Sequence, residues 1–488
     1  MISRLLFGCG LAFGCVLIGF MVAVLPFWFV IAIALVPSFF VLVAWRLEYG
    51  LLALLALVSG ILHEAFLPSF SFLRAGDLAF FAIGVITIAG ARGLTRDFHR
   101  SELALWIPFI AFLLLVPISV IYAHFFQGVS TKDVLGEGRH LMYLLLFPML
   151  VAVLNTRERV HRFILGLVIL GILFSLGQIL QGIFHVRIFG DAGRLSVVET
   201  LGVKSYDATI SSTAGIGIVL FVLFMVAGWY ALKRIKTFAF LSLSALSAVG
   251  VLLTFGRTTW ATTFLGIAAV IYLLGLRRSV PMLIWSLVGA SLGFAMLIAV
   301  KPAMFDALVV RVTSVEREIE SGSSAAWRYY ELGEVMPQII SNPILGIGLG
   351  SAYRKHSPGD LQPENVRYIH SGYLYMLSKL GAPALALFVS WLLVVFSWSW
   401  RGAREEQDPE LRSVHAAVCA AILTILVASI TEPHLMRDAS LALMGVLAGL
   451  TVALRRHGSM PARNERLSTA IASVAVVPFP ATAKPKRA

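Results

Sequence analysis

Charge is scarce in this sequence. Asp, Glu, Lys and Arg together make up 13% of its 488 residues, where a soluble domain carries about 25%. With 59% hydrophobic residues and a mean hydropathy of +0.88, a water-soluble globular fold is excluded. Cysteine is nearly missing: Cys9, Cys15 and Cys419 are the three present. All lie in apolar runs, so neither a disulfide framework nor a thiolate metal centre is expected. Strict polar/apolar alternation is also missing. The apolar runs are continuous, which rules out a β-barrel and leaves closed helices as the structure that satisfies backbone polar groups in lipid. No repeat at a solenoid period and no clear pair of broken helices marking inverted halves is visible.

What is present is a series of apolar stretches near the length of about 20 residues needed to span a bilayer. Fourteen candidate spans are read at 5–24, 27–45, 49–66, 77–91, 103–123, 139–154, 163–184, 209–232, 238–255, 259–276, 280–300, 370–398, 414–430 and 439–454. The stretch 77–91 is short and the first pair also reads as one re-entrant unit, so twelve is the alternative. Met1-Ile2-Ser3-Arg4 resembles a signal n-region. No small-x-small cleavage site follows, and Val24-Leu25-Pro26-Phe27 leads into more apolar sequence, so an uncleaved first span is expected.

Alternation from a cytoplasmic N-terminus sorts the basic residues. Arg46, Arg92, Arg96, Arg100, Arg157, Arg159, Arg162, Lys233, Arg234, Lys236, Arg277, Arg278, Arg401, Arg404 and Arg412 fall inside with Arg4. The short outward segments hold fewer: Arg74, Lys132, Arg139, Arg187, Arg194, Lys204, Arg257, Lys379 and Arg437. The bias sets the orientation. The fold class is therefore all-α, a polytopic transmembrane helical bundle of about 12–14 spans with a large helical outward loop. Its organisation is 1–300 transmembrane helices with short loops, 301–369 the large loop, 370–454 the C-terminal transmembrane helices, and 455–488 a disordered basic cytoplasmic tail suited to anionic lipid. Membrane lipid is thus a partner; nucleic acid is not.

Candidate functional residues cluster on the outward side. Arg257, in Thr254-Phe255-Gly256-Arg257-Thr258-Thr259-Trp260, sits between two apolar spans with almost no loop. An arginine at membrane depth costs roughly 2.5–3.5 kcal/mol, less where it can snorkel. It either marks the turn or binds an anion, and a turn needs no arginine. The loop 185–208 adds Arg187, Arg194 and Lys204, which can equally be solvated charges. The long loop opens with a charged helical stretch, Arg311 to Glu320. A second helix is expected from Ser323 or Ser324 as N-cap through Trp327, Arg328, Tyr329, Leu332, Val335, Met336 and Ile339, stopped by Asn342-Pro343. Its apolar spacing seats it on the bundle. Pro343-Ile344-Leu345-Gly346-Ile347-Gly348-Leu349-Gly350 is a poor dinucleotide fingerprint. It reads either as backbone allowing close approach of a bulky ligand or as structural glycine. His370 opens the next span and suits proton abstraction from a hydroxyl, or is interfacial. His63-Glu64 and Glu432-Pro433-His434 read as interfacial. No D-x-D-like pair lies outside to hold a divalent metal beside a phosphate, so a phosphate-bearing substrate would be neutralised by arginine forks.

Together these residues resemble the O-antigen ligase/polymerase superfamily. The resemblance rests on the arginine at a short outward turn, Trp327-Arg328, Asn342 to Gly350, His370-Ser371-Gly372-Tyr373-Leu374 and Lys379-Leu380-Gly381-Ala382-Pro383, in that order, and covers about 130–400. It implies a metal-independent inverting glycosyltransferase, without cofactor, on the periplasmic face of the bacterial inner membrane. Such enzymes pass a glycan from an undecaprenyl-diphosphate carrier to an acceptor hydroxyl, on lipid A-core or a growing polysaccharide. Carried over by motif, Arg257 and Arg328 would hold the diphosphate, Arg194 would assist from a matching position, and His370 would be the base. Ser371 stands where Asn commonly follows the histidine, and Gly256 where Ser commonly precedes the arginine. Ligases and polymerases share these motifs, so both remain open. A lipid-linked glycan flippase is the alternative from another class, disfavoured because the charged candidates gather on one face.

Overall fold

The computed structural model describes residues 46–60, 75–90, 102–184, 197–200, 203–206, 213–300, 302, 308–309, 312–313, 324–355 and 364–458. Twelve of the expected spans have a helical counterpart there; those at 5–24 and 27–45 lie outside the described residues, as does the tail beyond 458. The helices are α1 (Leu47–Val58), α2 (Ala75–Gly90), α3 (Leu103–Phe125), α4 (Thr131–Met142), α5 (Leu146–Val153), α6 (Arg157–Phe184), α7 (Thr213–Ala231), α8 (Thr237–Leu252), α9 (Arg257–Leu274) and α10 (Leu276–Val300). They continue with α11 (Ser324–Ser341), α12 (Gly372–Glu405), α13 (Pro409–Ala428) and α14 (Asp438–His457). Among the described residues, eight helices are long and apolar enough to cross a membrane, with α4 and α5 counted as one. The chain is a multi-pass α-helical membrane protein.

The sequence explains which helices sit inside. In α14 every residue from Ala439 to Leu454 is buried, as expected of a helix apolar on all sides. It packs on α5 and α7, while α13 lies against α7, α9 and α12. The rim helices show the opposite arrangement. On α3, Ile107, Ile110, Leu114, Ile118, Ile121 and Phe125 recur at helical spacing and stay exposed, a stripe that meets lipid rather than protein.

The ion pairs between described residues that follow sort into two groups. Residues assigned inward pair with one another: Arg157 with Asp408, Arg162 with Glu48, His161 with Glu410, and Arg456 with Glu102 through two hydrogen bonds of 2.8 and 2.7 Å. Those assigned outward do likewise: Arg139 with Asp77, Arg367 with Asp133, and Arg328 with Glu432. Lys379 departs from its expected place. It is not a loop charge but wholly buried within α12, facing Glu137 of α4 at 3.6 Å and donating to the Ser351 carbonyl.

Two short antiparallel ladders interrupt the helical pattern. β1 (Val197–Thr200) pairs with β2 (Val203–Tyr206) inside the loop 185–208, and β3 (Tyr353–Lys355) pairs with β4 (Glu364–Val366) inside the large loop. Ser324–Ser341 forms the expected loop helix, α11, ending at Asn342-Pro343. Its Val335 and Ile339 are buried with Tyr353 and Ile369, against Leu374 and Leu377 of α12. The charged stretch 311–320 lies outside the described residues apart from 312–313.

The glycine run that follows α11 resolves one open alternative. Gly346, Gly348 and Gly350 all have positive φ, of 66°, 89° and 77°, a conformation that glycine adopts without steric cost. A Cβ on Gly348 would lie 2.6 Å from the Ala123 side chain of α3, and one on Gly350 would lie 2.7 Å from the Asp133 and Val134 backbone. At the kink in α12, Gly381 has φ 82°, and a Cβ there would lie 2.0 Å from the Ile344 carbonyl oxygen. Ile347 N–H donates to the Ser378 carbonyl at 2.7 Å and Ala382 N–H to the Pro343 carbonyl at 2.8 Å. These glycines admit the protein's own backbone, which fixes the large loop onto α3, α4 and α12.

Candidate active site

His370 lies at the mouth of α12, whose N-cap is Ser371; the Ser371 hydroxyl accepts from Leu374 N–H. Arg257 is the first residue of α9, whose N-cap is Gly256. Both departures from the family pattern therefore fall at helix N-caps. Asn, Ser and Gly all serve there, and Gly in place of Ser costs only a few tenths of a kcal/mol. Just before Arg257, buried Phe255 has φ 51°, a left-handed conformation rare for a bulky side chain. The turn that presents Arg257 is thus held by its surroundings rather than by local preference.

The loop between α13 and α14, residues 429–437, joins these parts. Gly372 N–H donates to the carbonyls of Ser429 and Glu432 at 2.8 and 3.1 Å, tying the start of α12 to it. The Thr258 and Thr431 hydroxyls hydrogen-bond at 3.1 Å, tying the start of α9. The Glu432 carboxylate lies 3.5 Å from the Arg328 guanidinium, tying α11. Glu432, expected to be interfacial, is thus part of the site's framework. His434 is half-buried and bonds Ser440 at 3.2 Å; desolvation and Arg437 pull its imidazole down to about 4, so it is neutral. His63 and Glu64 lie outside the described residues.

Arg328 is about one-third exposed, and its buried Nε makes no hydrogen bond among the described residues. One helical turn further along α11 stands Glu331, which the motif reading did not single out. Its carboxylate accepts from the His370 backbone N–H at 2.9 Å, from the Tyr353 hydroxyl at 2.9 Å, and lies 3.1 Å from His370 Nδ1. Burial pushes the Glu331 carboxyl upward, but these donors outweigh it and leave it below its ordinary range. Burial and the neighbouring Glu331 charge push the Tyr353 phenol up, so it remains a donor. The Tyr368 ring meets the His370 ring edge-on, with centroids 5.0 Å apart. Arg437 in turn donates to the Tyr368 hydroxyl at 3.0 Å.

The structure thus brings Arg257, Arg328 and His370 to a single connecting loop. Arg194 lies outside the described residues. The resulting arrangement sets cationic forks, which suit phosphate oxygens, beside an imidazole that keeps part of its surface open. No curated protein matches the chain. The family model for O-antigen ligase (Wzy_C) matches residues 242–389, a stretch running from α8 into α12 that contains Arg257, Arg328, Glu331, the glycine run and His370. That match supports a glycosyltransferase-like ligase or polymerase role in polysaccharide assembly. Residues 242–389 of this multi-pass membrane protein belong to the O-antigen ligase/polymerase superfamily, as their motifs implied.

Proposed function

We propose that the protein transfers a glycan from an undecaprenyl-diphosphate carrier to an acceptor hydroxyl at the periplasmic face of the bacterial inner membrane. The observation that carries this reading is the meeting of Arg328, His370 and the Arg257 end of α9 at residues 429–432. In this scheme the two arginines hold the diphosphate, and a phosphate oxygen takes the place of the Glu432 carboxylate on Arg328. Arg194 serves as a third cation. His370 removes the proton from the acceptor hydroxyl. The hydroxyl oxygen forms its bond to the anomeric carbon, and the bond from that carbon to the diphosphate oxygen breaks with its electron pair. A single displacement inverts the anomeric centre. The arginines stabilise charge as it develops on the leaving oxygen, in the manner of other electrostatic catalysts, and the scheme uses no metal. An acceptor hydroxyl on a lipid A-core sugar makes the protein a ligase. A growing polysaccharide in that place would make it a polymerase with the same chemistry.

The test is His370→Gln, assayed with purified protein, lipid-linked glycan and acceptor. Glutamine keeps hydrogen bonding but cannot take a proton near neutral pH. Loss of a general base costs about 10²–10⁴ in rate, while carrier binding should stay within a few-fold. Near-normal turnover would remove His370 from the reaction.

A further inference from the structure

Glu331 has surroundings that the scheme above leaves unused. Its side chain is 5% exposed, and it gathers donors from two places: Tyr353 on β3, and the backbone and ring of His370 at the mouth of α12. A buried carboxyl with this many donors is held as the anion. An ionised carboxylate only accepts, so the nitrogen beside it, His370 Nδ1, must carry the ring hydrogen. A neutral imidazole has one N–H, which leaves the lone pair on Nε2. The His370 side chain is 38% exposed, so the ring is open to a substrate although its Nδ1 is engaged. Tyr368 touches the ring edge-on, and that contact selects neither tautomer.

We propose that Glu331 is a positioning residue for transfer. It holds His370 in the Nδ1–H tautomer with Nε2 available as the base, and it balances the imidazolium formed when the proton arrives. The inference rests on the reading of His370 as base. In the step, the acceptor O–H bond breaks and its proton goes to Nε2. The oxygen bonds the anomeric carbon, and the diphosphate leaves with the electron pair. Nδ1 keeps its hydrogen, and Glu331 stays ionised throughout. Position on α11 adds a second element to the proposal. Arg328 and Glu331 stand three residues apart, on one face of the helix. One rigid helix therefore sets the spacing between the grip on the donor and the orientation of the base.

The experiment measures kcat, donor KM and pH profiles for Glu331→Gln, Glu331→Asp, His370→Gln and the double variant Glu331→Gln/His370→Gln. The imidazole is met directly by Glu331 and Tyr368, with Tyr353 behind Glu331 and with Arg437 and Glu432 acting on Tyr368. Glu331→Gln is expected to lower kcat by about 10²-fold or more, as loss of the orienting carboxylate does in a hydrolase triad, with donor KM within about threefold. The acid limb of its kcat/KM profile should move to lower pH, because a neutral amide no longer favours the imidazolium. Glu331→Asp, which keeps the charge, should fall between wild type and Glu331→Gln. The double variant should be no slower than His370→Gln alone, since the carboxylate acts only through the ring. Glu331→Gln turnover within threefold of wild type would overturn the proposal. So would a fall in kcat with an unmoved acid limb, or an additive loss in the double variant. If His370→Gln itself were active, the reading of His370 as base would fail instead, and the two failures are distinguishable.

Discussion

Replacing Lys379 by Met removes an ammonium from the interior while keeping most of its volume. Lys379 is wholly buried and stands 3.6 Å from the Glu137 carboxylate, which is itself 8% exposed. Glu137 also accepts from Gly350 N–H, and Lys379 donates to the Ser351 carbonyl. The pair therefore pins the glycine run at the point where it enters β3. Without the ammonium, the Glu137 carboxylate is left buried without its cation, and breaking such a pair costs about 3–5 kcal/mol. At about 2 °C per kcal/mol, the detergent-solubilised variant should melt about 6–10 °C below wild type, followed by tryptophan fluorescence. Lys379→Met/Glu137→Gln should regain most of the difference. A variant that melts within 1 °C of wild type, or a double variant that regains nothing, would refute the reasoning.

Arg257→Lys retains the charge but not the bidentate fork. Transfer should fall at least about tenfold, with melting temperature unchanged and with no effect of added Mg²⁺ or EDTA on the wild-type enzyme. Full transfer by the lysine variant would leave Arg257 a topological marker. A reporter active only in the periplasm should be active when fused near Ser357 and silent at Ser459, and the reverse pattern would overturn the outward placement of the site.

Helix positions were legible because lipid makes the signal simple: long apolar runs. The α11 boundaries were legible for a different reason, since a serine start and an Asn-Pro stop act locally. Glu331 was not legible. It lies 39 residues before His370 in a helix with other acidic residues, such as Glu334, and its partner is brought to it by tertiary packing. A weak signal existed in its place one turn after Arg328. Lys379 was misread because a charge count assumes that basic residues near a helix end face water, whereas this one has a carboxylate from another helix to meet it. The glycine run was ambiguous for a related reason. Positive φ needs glycine whether the approaching group is a ligand or the chain itself, and only the positions of Ala123, Asp133 and Ser378 decide between them. Glu432 reads as interfacial because nothing in the order of residues connects it with Arg328, 104 residues earlier.

The seating of the glycine run in the kink of α12 bears on how such proteins can be recombined. Gly381 has a backbone that other residues rarely adopt, with the Ile344 carbonyl where a side chain would begin, and Gly348 presses on Ala123 in the same manner. The large loop and its socket are therefore matched parts. A loop transplanted from a homologue would fit only if the outer turn of α12, the end of α3 and the start of α4 travelled with it. The smallest exchangeable module is then discontinuous in sequence, running across 123–137, 343–351 and 378–383. A chimaera cut at the loop's apparent ends, 301 and 369, would join two halves of different joints and should fail at assembly, whatever sugar chemistry the donor loop carried.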